Sequence, residues 1–387
     1  ISGTSHVGGD VEAYSFATNY FSSTTELYGA SHDLITDQEY EVVGGTASVT
    51  NDGIVDGSVM ANGMTAVVTN NGVVNDDVRI GALFGTTEYD TTDIDMDTAS
   101  NRVRTRVETH SITGGSATGT NNGTIDGNVY VAGATGSWTN NSLVAGTTVL
   151  GVDIYDYTVT SVETDTTTTY SMTQPTTLFS QTYTANNNGV SGGYVVTGAT
   201  ITNPLDPSTQ LVTSDVTATI NLNSGSATLG NISAEVAADG TRLTDTTLNL
   251  NGSGFLGADY IANPGTSNTS TYPSPFLTLD ADAYDMFGGW NYAVTVRGVE
   301  TMNKTGSGTF VIFGAPYAAS TGLGDLPDYT LDIGAFNITA GEVQLATYYG
   351  DPGDYQFGIS GDVNNSATLV LGRRFPSYQA VFGSSLV

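Results

Sequence analysis

The sequence predicts an all-β protein, and three features predict it. Thr, Val, Tyr, Gly, Asn and Ser dominate while Lys, Glu, Leu and Gln are scarce, which favours pleated, half-buried strands over helices. Asn-Gly, Asp-Gly and Gly-Gly pairs punctuate the chain between short alternating runs, the usual signal for strands joined by tight turns. No apolar run approaches the ~18 residues of a membrane-spanning helix.

Residues 1–43 form an N-terminal segment. It begins Ile1-Ser2-Gly3, with no Met, basic stretch or apolar leader, so a processed, exported end is expected. The one helix candidate runs from Asp10, a suitable cap, to Gly29, a suitable stop, with Val11, Tyr14, Ala17 and Phe21 roughly on one face. Tyr14 and Phe16 also alternate as in a strand. With Tyr20 and Phe21 they make this segment a candidate for an element exchanged between copies.

Residues 44–205 carry an internal repeat. Laid against itself at an offset of 70, the chain matches Gly44-Gly45 with Gly114-Gly115, Thr50-Asn51 with Thr120-Asn121, Asp56-Gly57 with Asp126-Gly127 and Thr69-Asn70-Asn71 with Thr139-Asn140-Asn141. A degenerate third copy follows at Asn187-Asn188-Gly189. Asn-Gly supplies the two positive-φ residues of a type I′ turn, so each unit reads as a stack of hairpins. From 206 to 387, runs such as Val216 to Leu222, Thr246 to Leu250 and Phe310 to Phe313 lie between Gly, Asn and Pro turns. An antiparallel β-barrel or β-sandwich is expected there.

The charges narrow the partners. Nine basic residues against 39 acidic ones leave a net charge of −30, and no basic patch is available to neutralise a phosphate backbone. Nucleic acid and anionic membrane surfaces are excluded as partners. The chain has no Cys, so it has neither disulfides nor thiolate metal sites.

Asp93, Asp95 and Asp97 share one strand face, and Arg102, Arg104 and Arg106 form a matching stripe. A hairpin about Thr98 to Asn101 pairs Asp97 with Arg102, Asp95 with Arg104 and Asp93 with Arg106, a structural charge ladder. The same segment fails as a calcium loop, because Thr98 and Arg104 stand where Gly and Glu are needed. Calcium candidates remain in turn-like clusters: Asp280, Asp282 and Asp285; Asp325 and Asp328; Asp351 and Asp354. No cofactor is required by any motif. His6, His32 and His110 have no metal-binding spacing, and no nucleophile elbow or phosphate loop occurs.

The stretch Gly306-Ser307-Gly308-Thr309-Phe310-Val311-Ile312-Phe313-Gly314-Ala315-Pro316-Tyr317-Ala318, closing on Gly322, resembles the strand-and-turn signature of transferrin-binding-protein-like β-barrels of Gram-negative surface lipoproteins. The runs Val216 to Leu222 and Leu248 to Gly252 are similar to that family's paired strands. Ala319, Ser320 and Thr321 depart from the acidic residue and paired Gly usual there, and the lipid-bearing Cys is missing from this chain. The resemblance implies a barrel at a bacterial surface that binds through variable loops.

The expected function is a non-enzymatic, secreted or cell-surface structural or adhesive protein, a filament or surface-layer subunit that self-associates and could contact a surface glycan or protein. The alternative is a ligand-binding bacterial surface lipoprotein. A carbohydrate-active enzyme is the third reading, since a glycosidase needs only two carboxylates, and Glu235, Glu300 and Glu342 are available.

Overall fold

The computed structural model describes residues 2, 4–28, 32–94, 103–164, 166–257, 294–314, 330–347, 356–371 and 379–382. Among these the regular elements are strands, with no helix. The chain winds into a coil with three strands per turn. Thr46–Asn51, Ile54–Val55 and Val59–Gly63 make one turn, and the next turn lays Thr65–Asn70, Val73–Val74 and residues 78–81 beside them in parallel register. Turns stack in this way along the described chain.

On the first face of the coil ten strands follow one another in parallel, from Thr46–Asn51 through Ser116–Asn121, Phe179–Asn187 and Thr244–Asn251 to Asp362–Asn365. Thr46 faces Thr65 after 19 residues, and Thr65 faces Ser116 after 51. Together these steps make the offset of 70 found in the sequence, so the repeat spans two turns of coil. The longer step is an excursion that leaves the coil and returns without disturbing the register.

The core fills by alternation. Inward residues of each strand are buried and outward ones are not, as in Thr65–Asn70 and Ser214–Leu222. Large and small residues interlock between turns. Trp138, fully buried, lies against Gly119, where a Cβ would come within 2.5 Å of the indole. Tyr183 likewise fills the space above Gly136, where a Cβ would sit 2.2 Å from its ring.

The excursions assemble a second structure, a wing. Six antiparallel strands lie in the order 16–28, 32–44, 83–94, 103–114, 157–164 and 168–173. Two of the long strands are shared: Val11–Tyr28 pairs with the coil over residues 11–15 and continues into the wing, and Val78–Ile94 does the same. The wing runs along the coil in the same order as the turns from which it springs.

Three expectations are corrected. The segment from Asp10 to Gly29 holds a strand, Val11–Tyr28, and Asp10 accepts a hydrogen bond from the Ser58 amide at 2.8 Å instead of capping a helix. Its Ser, Thr and aromatic content favours the extended form once residues 11–15 pair with the coil and residues 16–28 with the wing. The Asn-Gly sites are not hairpin turns, since they join strands that pair with other turns of the coil, and φ at Gly72, Gly123 and Gly189 lies outside the left-handed region. The antiparallel character expected after residue 206 is replaced by parallel pairing: Ser214–Leu222 lies between Phe179–Asn187 and Thr244–Asn251, so the sheet passes 206 unbroken.

Candidate functional site

Two surfaces carry most of the polar chemistry, the corners and first face of the coil and the wing. At the first corner, Asn51, Asn70, Asn121, Asn140 and Asn187 stack as a buried column. The Nδ2 of each donates to the Oδ1 of the next at 2.9 to 3.0 Å. A second donation reaches a carbonyl of the next turn, as from Asn121 to Leu143 at 3.0 Å. The Oδ1 accepts from the amide two residues on, as at Gly53 and Gly123. Every polar atom of the buried amide is therefore used, which is the condition for placing one in a core.

Glycine follows two residues after Asn51, Asn70, Asn121 and Asn187, and Ser142 after Asn140; turns touch there, and a Cβ on Gly72 would lie 1.9 Å from the Gly53 carbonyl oxygen. One residue after the inner Asn, an outer column joins Asp52, Asn71, Asn122, Asn141, Asn188, Asn223 and Asn251, with Nδ2 donating backwards at 2.7 to 3.0 Å. Sequence reasoning missed both columns. Their signal was present as Asn51 and Asn70, then Asn121 and Asn140, 19 apart.

From Leu222 onward the inner column changes to Leu222, Leu250, Lys304 and Ile338. The amide ladder continues one residue earlier, on the outward side, through Asn186, Asn221, Asn249, Asn303, Asn337 and Asn364. Lys304 is buried, and its ammonium donates to the carbonyls of Thr305, Gly306 and Ala340 at 2.9, 2.8 and 3.3 Å. Burial pushes its pKa down.

On the first six strands of this face the outward positions, at 46, 48, 50, 65, 67, 69, 116, 118, 120, 135, 137, 139, 182, 184, 186, 217, 219 and 221, are Thr or Ser except for Val67, Asn186 and Asn221. None of these is charged, although Asp215 borders the array and Asp245 and Asp362 lie outward on later strands. Hydroxyls thus repeat about every 4.8 Å across strands and about 6.7 Å along them.

In the wing, Arg104 donates from Nε and Nη2 to Asp93 at 2.8 and 3.1 Å, and the hydrogen bond to Asp93 raises the arginine's pKa. The pairing differs by two residues from the expected ladder, so Arg104 faces Asp93 and Arg106 faces Thr91. Arg106 lies instead over the Tyr89 ring at 4.5 Å, and 3.6 Å from Glu108. Asp95, Asp97 and Arg102 lie outside the described residues, as do Asp280, Asp282, Asp285, Asp325, Asp328, Asp351 and Asp354.

Asp37 and Asp90 face each other across the wing. Desolvation first, then hydrogen bonding and repulsion from Asp37, raise the pKa of Asp90. His110 contacts Glu108 at 3.0 Å and Thr87 at 3.1 Å, and His6 contacts Asp56 at 2.8 Å.

The three glutamates considered for hydrolysis have separate partners. Glu235 accepts from the Ala199 amide at 2.9 Å and from the Thr200 hydroxyl, Glu300 lies 3.8 Å from Arg242, and Glu342 accepts from Gln344. Asp153 is raised by burial and by the charge of Glu235. Among the described residues no three His, Asp or Glu side chains converge as a metal site, and no helix is long and apolar enough to cross a membrane. Comparison with protein-family models, curated proteins and solved structures finds no match to this chain.

Proposed function

We propose that this chain is a non-enzymatic structural or adhesive protein of the cell surface or extracellular space, built to self-associate. One observation carries the reading, the unbroken register of ten parallel strands on the first face. Nine steps of ~4.8 Å make this a rod about 43 Å long. Its amide columns tie each turn to the next, and coil proteins of this kind gain stability from neighbour contacts along one axis. The hydroxyl array on the first six strands adds a neutral surface to a chain of net charge −30.

Negative-stain electron microscopy of the purified protein tests the reading. Ordered fibres, sheets or discrete oligomers are expected, growing with salt as self-repulsion is screened over ~10 Å at 0.1 M. Dispersed monomers at all salt concentrations would overturn it.

A further inference from the structure

We propose that the wing joins two copies of this chain edge to edge through residues 16–28, related by a twofold axis. The proposal rests on the self-association read above and supplies its surface. Over residues 16–28 the strand Val11–Tyr28 pairs with His32–Gly44, and no other described strand pairs with its second edge.

Natural edge strands are guarded by charge, proline or a bulge. This one has no proline and a single charged residue, Glu26, while the next strand inward carries Asp33, Asp37, Glu39 and Glu41. In a chain of net charge −30, neutrality along an open edge is what allows an identical copy to approach. Tyr20 and Phe21 are about half exposed on opposite faces of this edge, ready to extend both faces of a joined sheet.

Position selects this edge over the other one. The wing's far edge, Thr168–Thr173, is followed along the coil by the turns from Phe179 onward, whereas the 16–28 edge springs from the first turn, at the open end of the stack. Twofold pairing there is antiparallel, continues the alternation of the wing and sends the two coils to opposite sides.

With residues 16–28 fully overlapped the axis passes through Ser22. Glu26 then lies opposite Thr18 of the second copy, Tyr20 opposite Thr24, and no like charges meet. The result is a twelve-stranded wing with one self-complementary contact.

Sedimentation equilibrium of the full chain, with Ser22→Lys and Ser22→Asp variants, tests this. Each variant alone places like charges face to face and is expected to weaken the dimer about fivefold, and an equimolar mixture should restore it as a heterodimer. Ser171→Lys, on the far edge, should leave the dimer unchanged. Association indifferent to both Ser22 variants, or abolished by Ser171→Lys, overturns the edge assignment and leaves self-association standing. A wild-type chain that stays monomeric at every concentration overturns both.

Discussion

The early and late turns of the coil solve the same corner in two ways. In the early turns the corner is Asn-x-Gly, with Ser142 in place of glycine after Asn140. A side-chain amide takes the place of the missing backbone partners, and at Gly72 and Gly123 glycine serves close contact between turns, not a positive φ. In the late turns the corner is a left-handed glycine, with φ of +88° at Gly225, +79° at Gly252, +70° at Gly306 and +73° at Gly341. The inner column no longer needs an amide, and it becomes Leu222, Leu250 and Ile338 with Lys304 among them, its ammonium held by corner carbonyls. A corner can be encoded in a hydrogen bond or in a backbone conformation, and the second leaves the inward position open to apolar residues.

Substitutions can break that contrast. Asn121→Leu should cost about 4 kcal/mol by chemical denaturation, since Asn70, Asn140 and the Leu143 carbonyl all lose a buried partner at once. The reverse change, Leu250→Asn, puts a buried amide beside Leu222 with no column to join, and should cost about 3 kcal/mol. A cost below about 1 kcal/mol for either would mean that the two halves are interchangeable.

Gly72→Ala drives a Cβ into the Gly53 backbone and should cost about 3 kcal/mol. Gly225→Ala meets nothing within 4 Å and should cost only the left-handed strain, about 1 kcal/mol. Asn should be tolerated at 225 but not at 72, and thermal melts of the four variants would separate contact from conformation.

Smaller effects contrast the wing with the coil. Arg104→Asp should destabilise the wing, and Asp93→Arg should restore about 1 kcal/mol of it in a double-mutant cycle. Asp90→Asn should stabilise the wing by a few tenths of a kcal/mol at neutral pH. The pKa of Asp90 is raised in the folded chain, so its contribution is full below the unfolded carboxylate pKa and is lost as pH rises through the folded value. Hydrogen exchange of wing amides should therefore slow on mild acidification in the wild type and change less in the variant.

The all-β class was legible from composition, and the two-turn repeat from matched Asn and Gly. Strand direction was not, because inward and outward residues alternate with period two whether a neighbour runs parallel or antiparallel. The 19-residue turn was hidden because later steps are longer, 47 residues between Thr135 and Thr182 and 54 between Thr247 and Thr301. The charge ladder erred for a related reason. A slip of two residues keeps every side chain on its face, so Arg104 still meets an aspartate, and only Arg106 shows that the register moved. Turn residues misled as well. Asn beside Gly signals a hairpin locally, and only the stacked turns reveal the amide as a rung of a ladder.

The outer amide column begins on Asp52. Every other member from Asn71 to Asn251 both accepts and donates, so each could hand the chain on, but a carboxylate only accepts. In the language of polymers Asp52 is a chain stopper. An asparagine there would offer a fresh N–H pair to whatever stacks next, whereas the carboxylate offers only lone pairs and a negative charge. The side-chain column thus stops one turn before the coil does, since His6–Val7 and residues 11–15 pair in front of the turn that holds Asp52.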